Sequence, residues 1–363
     1  MSTDEIPEPD RVEGAPHPRH TAVLFGQDPA EAAFLTARDA GRLHHAWLIA
    51  GPRGVGKATL AWRIARNLLA GATGPLDMAP DQPVFRRTAA LGEPRLFLLR
   101  RAWDAKAARL RQIIDVEETR RLKNFLQLSS ADGGWRVVIV DAAEEMNTSA
   151  ANALLKVLEE PPERTAFLLV CHAPARLLPT IRSRCRELRC GPLEAPALAA
   201  ALAAAGMETD DAQALAELSG GSAGEAMRLA AHGGQPAYED LLSLLATLPR
   251  LDRPRMIALA ESCAGRDATE RYDLMMRLVP LALSRFARAG ALGALPVEAA
   301  QGEADLIRRL SPGPAPARAW AEAVQRLGER MARARAVNLD PGQVMLDTFL
   351  DIETTAQRLS AAA

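Results

Sequence analysis

The stretch Gly51-Pro52-Arg53-Gly54-Val55-Gly56-Lys57-Ala58-Thr59 decides the fold. It follows the apolar run 46–50 and precedes the helix-like run 60–69, which predicts a strand, a glycine-rich loop and a helix in that order. The frame G-x-x-x-x-G-K predicts a phosphate-binding loop, in which Lys57 and backbone N–H groups face phosphates at a helix N-terminus. The next residue is Ala58, whose methyl group cannot ligate magnesium. Thr59 lies about 100° further round the helix and is not expected to replace the missing hydroxyl.

Composition describes a globular, helix-rich protein. The chain has 363 residues, of which 48% are hydrophobic and 25% charged, and this length predicts two or three domains. Its formal net charge is −1, so contact with nucleic acid would need a local patch of charge. The sequence has no apolar run of ~20 residues and no secretory leader, so we expect a cytoplasmic protein without membrane contact.

The four cysteines predict neither a metal site nor a disulfide framework. They are Cys171, Cys185, Cys190 and Cys263. None belongs to a C-x-x-C pair, and no His and Cys residues have the spacing of zinc ligands. We expect reduced, mostly buried thiols and no bound metal.

A second buried strand, 135–141, ends in a carboxylate. An uninterrupted apolar run is typical of a central parallel strand, and Asp141 would lie at its carboxyl end, where open α/β sheets bind ligands. In P-loop NTPases such an aspartate helps to hold magnesium. Ala142 follows, and then Glu144 and Glu145, which we expect in the turn and away from the position of a catalytic base.

Alternating strands and helices predict an α/β fold with a mostly parallel sheet. Further strands are expected at 96–99, 166–171 and 186–189. Beyond residue 192 the chain turns Ala-rich and helical. The predicted segments are a disordered tail at 1–20, an α/β domain at 21–192, a small helical domain at 193–235 and an all-helical domain at 236–363.

Basic residues are concentrated between positions 100 and 111. A charge run of this kind is typical of a solvated face, and it is also found where proteins contact the backbone of nucleic acids. The sequence leaves both interpretations open.

Three motifs together resemble the clamp-loader branch of AAA+ proteins. They are the loop at Gly51, the strand ending at Asp141, and Asn152-Ala153-Leu154-Leu155-Lys156-Val157-Leu158-Glu159-Glu160-Pro161-Pro162 followed by Ser183-Arg184-Cys185. The likeness is strong over residues 24–190 and extends to the helical remainder only in outline. It implies an AAA+ P-loop domain, a helical lid domain and an all-helical collar domain that mediates oligomerisation.

The resemblance also implies a function in DNA replication. Clamp loaders are open five-subunit rings that use ATP to place a sliding clamp on primed DNA. The implied partners are the tau/gamma and delta subunits, the sliding clamp and, through the complex, primed DNA. One rigid subunit of such a ring does not hydrolyse ATP and presents the arginine of S-R-C to ATP on its neighbour. By position this arginine is Arg184. The other interpretation of Arg184 is a cap on the carboxyl end of its own helix.

Three departures from the family pattern argue against hydrolysis by this chain. Active members carry a hydroxyl after the loop lysine, a glutamate after the strand aspartate, and an arginine in G-S-x-R of the small domain. This chain has Ala58, Ala142 and Gly224 at these positions. The degenerate site could still hold ATP or ADP through Lys57 and the loop amides. The four-cysteine zinc module of many members is not expected, because residues 71–94 contain no cysteine.

The leading interpretation is therefore a non-catalytic subunit of a DNA polymerase holoenzyme. The alternative is a catalytically active AAA+ ATPase of the clamp-loader or recombination type, in which Thr59 or Glu144 compensates for the missing groups. A regulatory AAA+ protein outside replication is a third possibility.

Overall fold

The computed structural model of this protein describes residues 8–9, 11, 15–127, 133–209, 211–265, 268–337 and 339–362. The chain forms two compact units. The first comprises Met1–Glu208 with Gly221–Glu225, and the second Thr209–Gly220 with Ala226–Ala363. The residues predicted as a separate lid domain, 193–235, are divided between these units.

The first unit is built on a parallel sheet. The strands of the described residues are β1 (Ala46–Ala50), β2 (Leu96–Arg100), β3 (Trp103–Asp104), β4 (Arg109–Leu110), β5 (Arg136–Asp141), β6 (Thr165–Cys171) and β7 (Arg186–Arg189). Five of them form one sheet in the order β2-β5-β6-β1-β7, and all its pairings are parallel. Strands β3 and β4 pair separately and antiparallel. The α/β fold class and all five strands predicted from apolar runs are confirmed.

Helices cover both faces of this sheet. The helices of the first unit are α1 (Asp28–Asp39), α2 (Lys57–Ala70), α3 (Pro83–Ala89), α4 (Val116–Gln127), α5 (Thr148–Glu159), α6 (Pro179–Arg182) and α7 (Ala195–Ala204). Phe34 of α1 and Leu60 of α2 belong to the core on one face, and Leu122 of α4 and Leu154 of α5 to the core on the other. Every residue of β1 and β6 is buried, because successive side chains point to opposite faces and both are covered.

Helix α5 begins and ends where local signals predict. The side chain of Asn147 accepts a hydrogen bond from the N–H of Ala150 at 2.8 Å, which satisfies one of the unpaired donors of the first turn. The helix ends at Glu159, shortly before Pro161, which cannot continue it. This segment carries the motif that ends in Glu159-Glu160, and its position is fixed by the core residue Leu154.

Helix α1 begins later than the sequence predicts. The apolar spacing of residues 21–41 predicts a helix over that whole stretch, but α1 starts at Asp28. The reason is a pair of contacts with distant parts of the chain: the side chain of Gln27 donates to the carbonyl oxygens of Val55 (2.9 Å) and Gly191 (2.8 Å). These bonds hold the preceding chain against the loop and β7 instead of allowing a helical turn.

Part of the predicted tail is ordered against the first unit. His17 is buried and caps a short 3-10 helix, Pro18–His20, by accepting the N–H of Arg19 at 3.0 Å. Glu8 contacts Arg100 at 2.7 Å. Residues 1–7, 10 and 12–14 of the predicted tail lie outside the described residues.

Two small elements of the first unit were not predicted from the sequence. Helix α3 lies within residues 71–94, where repeated glycine and proline predict an irregular excursion, and it starts at Pro83, whose fixed φ angle suits a first helical turn. The β3–β4 hairpin consists of two-residue strands within the basic segment. Such short strands leave no alternation for a sequence pattern to detect.

The second unit is helical, as predicted. Its helices are α8 (Ala212–Ser219), the larger part of α9 (Ala223–Ala231), α10 (Gly234–Leu245), α11 (Arg253–Glu261), α12 (Thr269–Leu292), α13 (Glu303–Leu310), α14 (Pro314–Ala336) and α15 (Pro341–Ala362). Phe286 of α12 and Trp320 of α14 meet edge to face, with ring centroids 5.7 Å apart, in its core. No helix within the described part of the chain is both long and apolar enough to cross a membrane.

Candidate functional site

The glycine-rich loop joins the carboxyl end of β1 to the first turn of α2, as the sequence predicts. Gly51 has a φ of +154°, and a Cβ there would lie 2.1 Å from the carbonyl oxygen of Cys190. Gly54 has a φ of +74°, in the left-handed region that favours glycine. A side chain at Gly51 or Gly54 would therefore strain the backbone or collide with a neighbour, so both glycines are required by shape.

The loop is closed by the segment 221–225 of the same unit. The N–H of Gly224 donates to the carbonyl oxygen of Gly54 at 3.0 Å. A Cβ on Gly54 would lie only 2.3 Å from the Oγ atom of Ser222. Gly224 is the position at which the family pattern would place a sensor arginine. This chain has no side chain at that position, and the backbone N–H of Gly224 binds the loop instead.

Lys57 is turned towards its own loop. Its side chain is buried, and its Nζ atom donates to the carbonyl oxygen of Pro52. Burial lowers the pKa of Lys57 to about 8, although the charges of Cys190, Asp141 and Glu144 oppose this shift. The ammonium group that would bind phosphate therefore already has a protein acceptor.

The positions that would hold magnesium and activate water are apolar. Ala58 and Thr59 lie in the first turn of α2, and Ala142 is buried directly after Asp141 at the end of β5. Strand β5 ends with Asp141 at the same edge of the sheet as the loop, and the charge of Asp141 is close enough to raise the pKa of Lys57. The structure thus brings Asp141 and Lys57 together, while Ala58 and Ala142 contribute no polar side-chain atom.

Glu144 lies in the turn that follows β5, at the same edge of the sheet as the loop. It belongs to a 3-10 turn, Ala143–Glu145, and its Oε1 atom accepts the N–H of His172 at 3.0 Å. Its Oε2 atom is buried without a hydrogen-bond partner. Glu144 thus lies in the turn, as expected, and the turn folds back on the end of β6. Glu145 points elsewhere and pairs with Arg53 at 3.2 Å and Arg101 at 2.8 Å.

His172 and Cys171 are site residues that the sequence analysis missed. His172 follows β6 directly, and burial together with the charge of Lys57 lowers its pKa to about 4. Burial and the charge of Glu144 raise the pKa of Cys171 to about 12. Both are therefore neutral near pH 7. The rule that the carboxyl ends of parallel strands meet at one edge could have identified them.

The cysteines are free, and three of the four are buried, as predicted; Cys185 is partly exposed. Burial raises the pKa of Cys190 to about 11, and the charge of Lys57 opposes this. In the described ranges no group of three or more His, Cys, Asp or Glu side chains could hold a metal ion.

Arg184 follows helix α6 and is partly exposed. Its Nη2 atom lies 2.8 Å from the Oε1 atom of Glu159, the last residue of α5. Its Nη1 atom donates to the carbonyl oxygen of Thr180 at 3.0 Å. The second bond is the helix-capping contact that the alternative interpretation predicts. The guanidinium nevertheless keeps about a third of its side chain, 36%, accessible.

Arg184 and Lys57 lie at opposite edges of the sheet. Strand β7 begins two residues after Arg184 and runs parallel to β1, whose far end enters the loop at Gly51. At about 3.3 Å per residue, the five residues of β1 separate the two edges by about 15 Å. The arginine and the lysine therefore lie at opposite ends of the strands and belong to separate sites in this structure.

Most of the basic segment is engaged in ion pairs within the unit. Arg100 pairs with Glu8, Arg101 with Glu145 and Arg111 with Asp115. Lys106 and Arg109 are exposed on the hairpin. This arrangement favours the interpretation of the run as a solvated face.

Sequence comparisons connect the chain with replication proteins. Residues 26–194 match the family model described as DNA polymerase III, delta subunit. Subunit delta' of DNA polymerase III from Pseudomonas aeruginosa is 39% identical over 223 residues, which are 60% of this chain and 65% of that protein. Subunit tau of Escherichia coli is 34% identical over 172 residues, 47% of this chain and 25% of that protein. The matches thus span less than two thirds of either relative.

The solved structures that match this chain are more distant. The RuvB Holliday junction branch migration motor of Thermotoga maritima is 18% identical, with a TM-score of 0.37 over 83% of this chain and 90% of that one. The ORC2 protein of Aeropyrum pernix is 14% identical, with a TM-score of 0.37 over 95% of this chain and 98% of that one. The family match and the delta' relatives confirm the resemblance drawn from the motifs. Residues 26–194 of this chain are therefore similar to the DNA polymerase III delta-subunit family and to its delta' members.

Proposed function

We propose that this chain is the delta-prime-type subunit of a DNA polymerase III clamp loader. It would form a five-subunit ring with the tau/gamma and delta subunits and help to load the sliding clamp onto primed DNA. Its relatives named delta' and tau support membership of that complex. The second, helical unit is the candidate collar that would hold it to its ring neighbours.

The observation that carries the proposal is the closed loop around Lys57. Its ammonium is satisfied by the Pro52 carbonyl, and Gly224 bonds the loop at Gly54. Magnesium would find Asp141 but no hydroxyl at position 58, and a water nucleophile would find no base at position 142. A chain of this kind contributes structure to the ring and does not hydrolyse ATP.

Arg184 is the candidate for a catalytic contribution in trans. A guanidinium is permanently charged and can contact phosphate oxygens through two parallel N–H bonds. Because Arg184 lies about 15 Å from the loop edge, it would act on a nucleotide held by a neighbouring subunit. Charge that develops on the transferred phosphoryl group would be stabilised there, as by other arginine fingers.

The test compares the chain alone with the assembled complex. The purified chain should show no ATP turnover above that of Lys57→Ala, and it should be captured by the delta and tau/gamma subunits. ATP-dependent clamp loading by the complex should require it. Turnover by the chain alone that Lys57→Ala abolishes, or failure to associate with any of those subunits, would refute the proposal.

A second candidate function is an active ATPase in which Glu144 acts as the base. The buried Oε2 atom of Glu144, which has no hydrogen-bond partner and lies near Lys57, favours it. This function requires turnover by the chain alone that Glu144→Gln abolishes. The same assay therefore separates the two functions.

A further inference from the structure

The guanidinium of Arg184 is held by two groups of its own chain. Nη2 lies 2.8 Å from Oε1 of Glu159, and Nη1 donates to the carbonyl oxygen of Thr180 at 3.0 Å. Ser183 Oγ is 3.5 Å from Nη1. Both terminal nitrogens of the guanidinium are therefore engaged.

A phosphate would need the same two nitrogens. Bidentate recognition of a phosphoryl group uses two N–H donors of the guanidinium fork, in the same geometry as recognition of a carboxylate. Glu159 presents one carboxylate oxygen to this fork and carries the same sign of charge as a phosphate. The carboxylate thus occupies the position at which a phosphate oxygen would bind.

We infer that Glu159 is a positioning residue that holds Arg184 in a resting orientation and competes with the nucleotide of a neighbouring subunit for it. This inference rests on the proposed role of Arg184 as a finger in trans. The nucleotide displaces Glu159 when the two subunits close on it. Glu159 returns to the arginine when they separate, so the charged side chain keeps one orientation between turnovers.

The partial exposure of Arg184 and Glu159 determines how strongly Glu159 competes with the nucleotide for the arginine. Arg184 is 36% and Glu159 50% exposed, so water screens their attraction and the pair is readily broken. Removal of the competing charge should raise the fraction of Arg184 on the nucleotide about twofold to fivefold, the equivalent of about 0.4–1 kcal/mol. Such a competitor slows the reaction without blocking it.

The test uses the complete clamp-loader complex, reconstituted with this chain, and measures ATP turnover at saturating ATP with clamp and primed DNA. Glu159→Gln keeps an amide oxygen of similar shape but removes the charge. It should raise kcat about twofold to fivefold with KM unchanged. Glu160→Gln is the matched control, because it removes the same charge from an exposed side chain one residue further along. It should leave kcat unchanged. Glu159→Ala is a second variant, which should act in the same direction.

A double variant shows whether the effect passes through Arg184. In the Arg184→Ala background, Glu159→Gln should have no effect on kcat. An effect that persists there, or a kcat that Glu159→Gln lowers or leaves unchanged in a complex of normal composition, would overturn the inference. If Arg184→Ala itself left kcat unchanged, the proposed finger would fail, which is a separate and distinguishable result.

Discussion

The N–H of Gly224 and the carbonyl oxygen of Gly54 form a hydrogen bond of 3.0 Å, which joins the glycine-rich loop to the first turn of α9. The bond connects two departures from the family pattern: the loop that lacks a hydroxyl after its lysine, and the glycine that replaces the sensor arginine. The glycine where a sensor arginine would stand is close enough to the loop that a side chain on Gly54 would collide with it. The loop is thus a packed structural element of the first unit.

Gly54→Ala should be clearly more destabilising than Gly41→Ala. Both residues have left-handed φ angles, +74° and +64°, so each alanine costs about 1–2 kcal/mol of backbone strain. A Cβ at position 41 would meet nothing within 4 Å, whereas at position 54 it would lie 3.1 Å from the Cα atom of Gly224. Overpacking should add about 1–3 kcal/mol there. Urea unfolding followed by fluorescence measures the difference, since four of the five tryptophans belong to this unit. Equal losses would mean that the loop is not packed against this turn.

Lys57→Met should stabilise the protein at pH 7, and this gain should shrink at alkaline pH. The folded protein lowers the pKa of Lys57 from 10.5 to about 8, so charging the lysine opposes folding below pH 8. Between pH 8 and 10.5 the unfolded chain binds more protons, and the stability of the wild type rises with pH through this window. Removal of the charge should therefore be worth about 1–3 kcal/mol at pH 7 and almost nothing above pH 10.5.

The free energy of unfolding of both proteins, measured from pH 7 to 10.5, checks this prediction. The difference between variant and wild type isolates Lys57 from the other groups that titrate there. A variant less stable than the wild type by the same amount at every pH would show that folding does not shift the pKa of Lys57 and that its side chain supports the loop independently of charge.

The sequence predicted those parts of the fold and site that depend on neighbouring residues. Buried parallel strands appear as continuous apolar runs, which is why all five were found, and the loop motif placed Lys57 and Asp141 at one edge. Helix α1 was predicted to begin too early because the bonds of Gln27 to Val55 and Gly191 join residues far apart in the sequence.

Contacts across the fold account for what could not be predicted at the site. The side chain of Glu144 reaches His172 only because the 3-10 turn folds back on β6, and nothing in its neighbours specifies that path. The ion pair between Arg184 and Glu159 likewise joins the ends of two helices separated by a strand. Motif spacing identifies such residues, but their partners depend on the packed chain.

Glu303→Gln should destabilise the second unit much more than Asp305→Asn, two residues further along the same helix. Glu303 is fully buried, and it accepts hydrogen bonds from Arg285 (2.6 Å), Tyr238 (2.6 Å) and the N–H of Ala299 (2.7 Å). Burial opposes the charge of Arg285, but its bonds to Glu303 outweigh this and raise its pKa. Loss of the buried carboxylate should cost about 3 kcal/mol. The exposed Asp305, which pairs with Arg308, should cost about 0–1 kcal/mol.

Amide hydrogen exchange in α12 and α13 tests this prediction, because the ion pair between Arg285 and Glu303 joins these two helices. Protection in both helices should fall in Glu303→Gln and remain close to the wild type in Asp305→Asn. Similar protection in the two variants would contradict the view that the buried pair holds these helices together.

Arg184→Ala should leave the fold intact and slow ATP turnover by the assembled complex. The side chain is partly exposed, and its ion pair and capping bond are of the kind that contributes at most about 1 kcal/mol. Loss of an arginine finger, in contrast, lowers kcat by up to ~10³-fold or more, because charge on the transferred phosphoryl group is left without its counter-ion. Turnover of the complex, measured with clamp and primed DNA, and the melting temperature of the isolated chain test the two halves separately.

Arg182→Ala is the matched control, since Arg182 is an exposed arginine that ends helix α6 two residues earlier. It removes the same charge from the same edge of the sheet, so a general loss of positive potential would slow both variants alike. A specific contact with the neighbour's nucleotide would slow only Arg184→Ala. If both variants turned over ATP at the wild-type rate, Arg184 would be left with the capping bond to Thr180 as its role.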